Sequence, residues 1–172
     1  MFYYGIALFV FIVDFVTKKL IAARLEIGEQ ISVIGNFFLI TSHRNRGAAF
    51  GILQEQRAFF IVITVVIVAA IIWYMQSIRD NRRSVLFTGL GFVLGGAVGN
   101  FLDRLLYGEV VDFFQFNFGS YTFPIFNVAD SAICCGVALI ILDTLLSAKE
   151  EKKSLNNGEE KDNNGHEQQT IS

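Results

Sequence analysis

AFFIVITVVIVAAIIWYM, residues 58–75, contains no charged side chain. A bilayer core takes a helix of about 20 apolar residues, so this stretch predicts a membrane span. VLFTGLGFVLGGAVGNFL, residues 85–102, follows it closely, is equally free of charge and predicts a second span. Ahead of this pair, residues 2–23 are apolar except around Asp14, Lys18 and Lys19, and behind it residues 124–146 are again predominantly apolar. The expected fold is therefore an all-α membrane bundle of four transmembrane helices, at about 2–23, 58–75, 85–102 and 124–146. The first segment lacks the basic start of a cleavable signal peptide and has three more spans behind it, so it is read as a retained helix.

Composition agrees. The chain is 53% hydrophobic and 17% charged, with mean hydropathy +0.49, which a soluble domain does not reach. Residues 149–172 carry four lysines and six acids, leaving ten charges of each sign in residues 1–148. One neutral membrane domain, 1–148, followed by a disordered polar tail, 149–172, is the expected organisation. No basic patch points to a nucleic-acid partner. Cys134 and Cys135 are sequence neighbours in an apolar run, where a mutual disulfide would be strained, and they are read as packing residues. His43 and His166 fit no metal-ligand spacing, so no metal is expected, and no motif calls for a cofactor.

Two connections have character of their own. In the segment from Arg24 to Arg57, the stretch Gln30 to Thr41 is rich in Ile, Val and Phe, which suits a small sheet resting on the membrane surface. Tyr107 to Phe123 is aromatic and punctuated by glycine, and is expected to be a loop or short amphipathic element. Within the third span, Gly91, Gly95 and Gly99 recur every four residues, a spacing that lets a neighbouring helix come close.

Four spans alternate in direction, so the end of the first, the start of the second, the end of the third and the start of the fourth share one side. Asp14, Lys18, Asn45, Asn100, Asp103, Arg104, Asp112, Asn127 and Asp130 all fall on that side. Ionisable groups in or near the apolar zone are costly unless paired or wet, which makes them functional candidates. Asp14 and Lys18 are four residues apart and can pair on one helix face, as can Asn100, Asp103 and Arg104. For Asp14, Lys18 and Arg104, a staple between helices accounts for them as well as a site does. Asp112 and Asp130 have no basic neighbour in sequence and favour a site. Asp143, at the other end of the fourth span, is read as an interfacial charge. Two aspartates at one surface, with no Ser/His or metal motif, suggest acid/base activation of water: close carboxylates cannot easily both ionise, so one keeps a proton.

DFVTK (14–18), NRGAAFG (45–51), GGAVGNFLDR (95–104), GEVVDF (108–113) and FNVADS (126–131) occur in this order. The set resembles the five motifs of bacterial lipoprotein signal peptidase (signal peptidase II), over about residues 5–146. The resemblance implies an aspartic endopeptidase that removes the signal peptide from diacylglyceryl-modified prolipoproteins by cleaving before the lipidated cysteine. It implies Asp112 and Asp130 as the catalytic pair. Asn45, Gly47, Asn100, Asp103, Arg104 and Asn127 correspond to the shell that holds substrate backbone or inhibitors of the globomycin type, and Asp14 and Lys18 to a supporting pair. It further implies a small extracytoplasmic β-sheet cradle and a multi-pass protein of the bacterial plasma membrane, taken as a monomer among membrane lipid. Both termini would be cytoplasmic, with segments of about 24–57 and 105–123 outside beside the active site. The family supplies that orientation, because Arg24, Arg44, Arg46 and Arg57 on one side nearly balance Arg79, Arg82, Arg83 and the tail lysines on the other. Phe15 stands where the family often has glutamine.

Two other classes fit less well. A transporter or channel would spread charge through the membrane depth, whereas the two middle spans are free of it. An intramembrane aspartyl protease of the presenilin kind would carry a GxGD motif, which is absent from the sequence.

Overall fold

The computed structural model describes residues 2–47, 55–78 and 83–169. Residues 48–51 of the NRGAAFG stretch, and Arg79 and Arg82, lie outside the described residues. Among the described residues four helices are present: α1 (Phe2–Arg24), α2 (Arg57–Ser77), α3 (Ser84–Tyr107) and α4 (Val128–Gln169). Three of them, α2, α3 and the Val128–Lys149 part of α4, are long and apolar enough to cross a membrane. α1 is of similar length but carries Asp14, Lys18 and Lys19 in its second half. The usual burial order is inverted: Phe9, Val62, Trp73 and Leu145 are 68%, 63%, 71% and 64% exposed, while Asp14 and Asn127 are 0% exposed. Such a surface suits hydrocarbon, not water.

α3 is the central helix, packed against each of the other three. Its glycines make this possible. Cβ atoms on Gly91 and Gly95 would meet the α1 carbonyls of Tyr3 and Ala7, and one on Gly99 would collide with the Asp14 carboxylate. Gly89 and Gly96 face α4 instead: a Cβ on Gly89 would lie 2.7 Å from Gly136 O, and one on Gly136 would lie 2.6 Å from Gly89 O. Backbones this close gain dispersion contacts that side chains would prevent. The four-residue repeat is thus the seat of α1, and the remaining glycines are the seat of α4.

α4 does not end where the apolar sequence does. Its backbone stays helical to Gln169, through the segment whose composition suggested disorder. Lys, Glu and Gln are good helix formers, and extending an existing helix needs no new nucleus.

The second connection also differs from expectation. Past Tyr107, which ends α3, the stretch to Phe123 does not form a loop: it supplies β3 (Val110–Phe118) and β4 (Tyr121–Thr122), which join β1 (Gln30–Ile34) and β2 (Phe38–Asn45) in one antiparallel sheet of order β1-β2-β3-β4. The alternation in β3 was hidden because its inward set includes polar Asp112 and Gln115, while its other face carries Phe114 and Phe116. Phe116 stacks on its β2 partner Phe38 with ring centroids 4.7 Å apart, the cross-strand aromatic pairing that favours a sheet. Gly108 makes the turn into β3 with φ +78°, a left-handed conformation that closes the α3 C-terminus through Gly108 N to Arg104 O at 3.2 Å. Arg57 donates to the last α3 carbonyls, Arg104 O and Leu105 O, both at 2.8 Å.

At the opposite end, Asp143 is not a loose interfacial charge. It is 7% exposed, pairs with Arg83 and accepts from Leu86 N in the first turn of α3 at 3.3 Å. Arg83 is about one-third exposed, so the ion pair itself contributes little and the cap carries most of the effect. Asp143→Ala is expected to cost about 0.5–2 kcal/mol, seen as a lower Tm in detergent, with turnover of the folded protein unchanged.

Candidate active site

The site is assembled where α4 begins. Residues Pro124–Asn127 precede that helix and run alongside β3: Phe113 N and Phe114 N both donate to Phe126 O, at 3.0 and 2.8 Å, and Phe126 N returns a bond to Phe114 O. This short pairing fixes Asn127 next to Asp112. Asn127 then starts α4 by a reciprocal cap, with Asp130 N donating to Asn127 Oδ1 at 3.0 Å and Asn127 N donating to Asp130 Oδ2 at 3.2 Å. The next free amide, Ala129 N, donates to Asp14 Oδ1 at 2.9 Å, so α1 supplies a cap to α4 in trans.

A continuous chain of amides links the two candidate carboxylates. Asp112 Oδ1 accepts from Asn127 Nδ2 at 2.6 Å, and Asp112 Oδ2 accepts from Asn45 Nδ2 at 2.9 Å. Asn127 Nδ2 also reaches Asn100 Oδ1 at 3.2 Å, and Asn100 Nδ2 donates to Asp130 Oδ1 at 2.7 Å. Behind Asn100, Lys18 Nζ contacts Asn100 Oδ1 at 2.7 Å, Asp14 Oδ2 at 2.7 Å and Asp103 Oδ2 at 3.0 Å. In front, Arg104 donates to Gly47 O at 3.1 Å and lies 4.6 Å from the centroid of the Phe60 ring. Asn45 Oδ1 accepts from Gly47 N at 2.9 Å, which ties down the segment leaving β2.

All ten residues singled out in sequence therefore gather at one end of the bundle, in two layers. Asn45, Gly47, Arg104 and Asp130 line a cavity of about 580 Å³ whose other walls include Phe60, Phe123, Ile125 and Ile133. Asn100, Asp103, Asn127, Asp14 and Lys18 are buried behind it, and Asp112 is 1% exposed between the layers. Burial, reinforced by the charge of Asp130, pushes the Asp112 carboxyl up to about 7, against the opposing bonds from Asn45 and Asn127 and the charge of Lys18. The Phe60 wall and the trans cap by Asp14 were not anticipated. The sequence did hold a sign of the reciprocal cap, since Asn127 and Asp130 have N-cap and N3 spacing just ahead of an apolar run.

Apolar helices enclosing a polar cluster, roofed by a small sheet at one end, make a membrane-type bundle with a built polar site. The family model for signal peptidase (SPase) II matches residues 6–146. The chain belongs to the signal peptidase II family, membrane proteases of lipoprotein processing. It is 49% identical over 154 residues to "Lipoprotein signal peptidase" of Bacillus pumilus (strain SAFR-032), covering 90% of this chain and 99% of that protein. Two solved structures share its fold. One, "Bacterial membrane enzyme structure by the in meso method at 2.3 A resolution", superposes with TM-score 0.78 at 45% identity, over 84% of this chain and 88% of that one. The other, described in the same words at 1.9 A resolution, gives 0.72 at 47% identity, over 81% and 90%.

Proposed function

We propose that this protein is an aspartic endopeptidase that cleaves diacylglyceryl-modified prolipoproteins immediately before the lipidated cysteine, with Asp112 and Asp130 as its catalytic pair. The observation that carries this is the amide chain Asp112–Asn127–Asn100–Asp130, which holds two carboxyl groups at fixed places beside an apolar cavity. Asp130 presents both oxygens to N–H donors and lines the cavity, as a general base does. Asp112, with its carboxyl pushed up to about 7, is the group that keeps a proton near neutrality.

In the proposed reaction Asp130 takes a proton from water as the oxygen attacks the scissile carbonyl carbon, and Asp112 gives its proton to the carbonyl oxygen. As the C–N bond breaks, the proton held by Asp130 passes to the amine of the cysteine and one hydroxyl of the tetrahedral intermediate returns its proton to Asp112, so both aspartates are restored and the signal peptide leaves with a new carboxylic acid that ionises in water. Arg104 and Asn45, on the cavity wall, are placed to hold substrate backbone. Phe123, Ile125, Ile133 and Phe60 offer an apolar surface for acyl chains and for the signal sequence. The same proposal has four membrane crossings with α1 as the first, termini in the cytoplasm and the sheet outside. Globomycin-type inhibitors would occupy the same cavity.

The test is incubation of the purified protein with a diacylglyceryl-modified precursor and its unmodified counterpart. Cleavage of the first alone supports the proposal, and equal cleavage of both refutes the lipid requirement. A pH dependence follows as well. A carboxyl raised from 3.8 to about 7 favours the folded state below its ordinary range, and that contribution is lost as pH rises through about 7. Turnover should therefore fall on the alkaline side near pH 7. The stability of Asp112→Asn relative to wild type, read from Tm, should rise between pH 5 and pH 8 by at most about 3 kcal/mol, the part of the shift that lies above pH 5.

A further inference from the structure

Lys18 is 3% exposed, and its ammonium group has three N–H donors and no acceptor. It donates a hydrogen bond to Asn100 Oδ1 and stands at ion-pair distance from Asp14 Oδ2 and Asp103 Oδ2. The two carboxylates answer the charge. The Asn100 contact answers none, because an amide oxygen carries no formal charge, but it determines which end of the Asn100 amide faces which neighbour. With Oδ1 turned toward Lys18 and Asn127 Nδ2, Nδ2 is left pointing at Asp130 Oδ1, 2.7 Å away. A flipped amide would set N–H against the ammonium and a lone pair against the Asp130 carboxylate, losing a charge-assisted bond on each side.

We propose that Lys18 is a positioning residue for the carboxylate pair: by fixing the Asn100 amide it keeps an N–H donor on Asp130, so that Asp130 rather than Asp112 takes the proton from water. This rests on Asp112 and Asp130 being the catalytic pair. The charged groups around Asp130 are Asp112 from β3, Arg104 and Asp103 from α3, and Lys18 and Asp14 from α1. From the other elements, Arg44 and Arg46 of β2 and the loop after it pair with Glu109, His43 is exposed, and Arg57 of α2 is bonded to α3 carbonyls. Among these groups only Lys18 reaches Asn100 Oδ1.

A plain Lys18→Met substitution leaves Asp14 and Asp103 uncompensated and risks unfolding. The double substitution Lys18→Met/Asp103→Leu removes one charge of each sign, so the net charge of the cluster is preserved, and Asp103→Leu alone is its reference. Single-turnover cleavage of lipidated precursor across pH is measured for both, with Tm, and repeated in an Asn100→Ala background. Relative to Asp103→Leu, the double variant is expected to lose about 100-fold in kcat, the scale of a misplaced base, with KM little changed. The acidic limb of its pH profile is expected to move up by about one pH unit or more. In the Asn100→Ala background the same pair of substitutions should add no further loss, because Lys18 acts through Asn100. Asp143→Ala, destabilised at the far end of the bundle, should keep the wild-type profile. A double variant with the kcat and pH profile of Asp103→Leu, whatever its Tm, overturns the positioning role. An equal additional loss in the Asn100→Ala background overturns it too. Failure of the catalytic pair is read separately, as surviving cleavage in Asp112→Asn or Asp130→Asn.

Discussion

Asp112→Asn and Asp130→Asn are each expected to abolish cleavage of a lipidated precursor while leaving a folded protein. The amide has the size of the carboxylate but can neither take a proton from water nor pass one to the leaving amine, so each rate should fall by about 10²–10⁴-fold or more. The structural cost is smaller. Asp112 accepts from Asn45 and Asn127, and Asp130 from Asn100 Nδ2 and Asn127 N, so a replacement amide keeps one of its two donors and loses the other, at about 1 kcal/mol. The double variant should be scarcely worse than either single, since the pair works as a unit. Wild-type turnover should follow a bell in pH whose two limbs belong to the pair. Single-turnover cleavage, with Tm alongside, checks all of this. Near wild-type cleavage by either asparagine variant would remove that residue from the mechanism.

The second large effect comes from one methyl group. On helix propensity alone Gly99→Ala should stabilise α3 by about 1 kcal/mol. Its Cβ, however, would collide with the Asp14 carboxylate, which is held by Lys18 and by the α4 amide Ala129 N. Overpacking of this kind costs about 1–3 kcal/mol, and pulling Asp14 off its partners leaves a buried charge exposed to a cost of about 3–5 kcal/mol. The packing effects exceed the propensity gain, so a net loss of about 3 kcal/mol and most of the activity is expected. A circular-dichroism or fluorescence melt in detergent measures the first and precursor cleavage the second. An alanine variant more stable than wild type would show that α1 can retreat from α3 without loss.

The membrane helices were legible in sequence because their signal is long: residues 58–75 and 85–102 have no reading other than a buried or lipid-facing helix. The end of α3 was less so. The apolar run stops at Leu102, yet the helix continues to Tyr107, because Asp103 turns its charge inward to Lys18 and Arg57 satisfies the last carbonyls. β3 escaped notice for a related reason. A strand with Asp112 and Gln115 on its buried face breaks the alternation by which strands are recognised, and it does so because that face belongs to the site. The expected topology placed the candidate residues at one end of the bundle, but their division into a cavity wall and a buried layer depends on contacts between distant segments. Asp14 meeting Ala129 is the plainest of these, with no local pattern to announce it.

The reciprocal cap between Asn127 and Asp130 makes one pair of side chains answer to two demands. A substitution there that weakened the grip of a competing ligand would also loosen the first turn of α4, and with it the contact to α1. On the proposed function, an inhibitor that leaned on this turn would be escaped through residues farther along the cavity wall, such as Phe123 or Ile133, where bulk can change without unravelling a helix. A compound that touched only the turn would meet few substitutions that the fold tolerates.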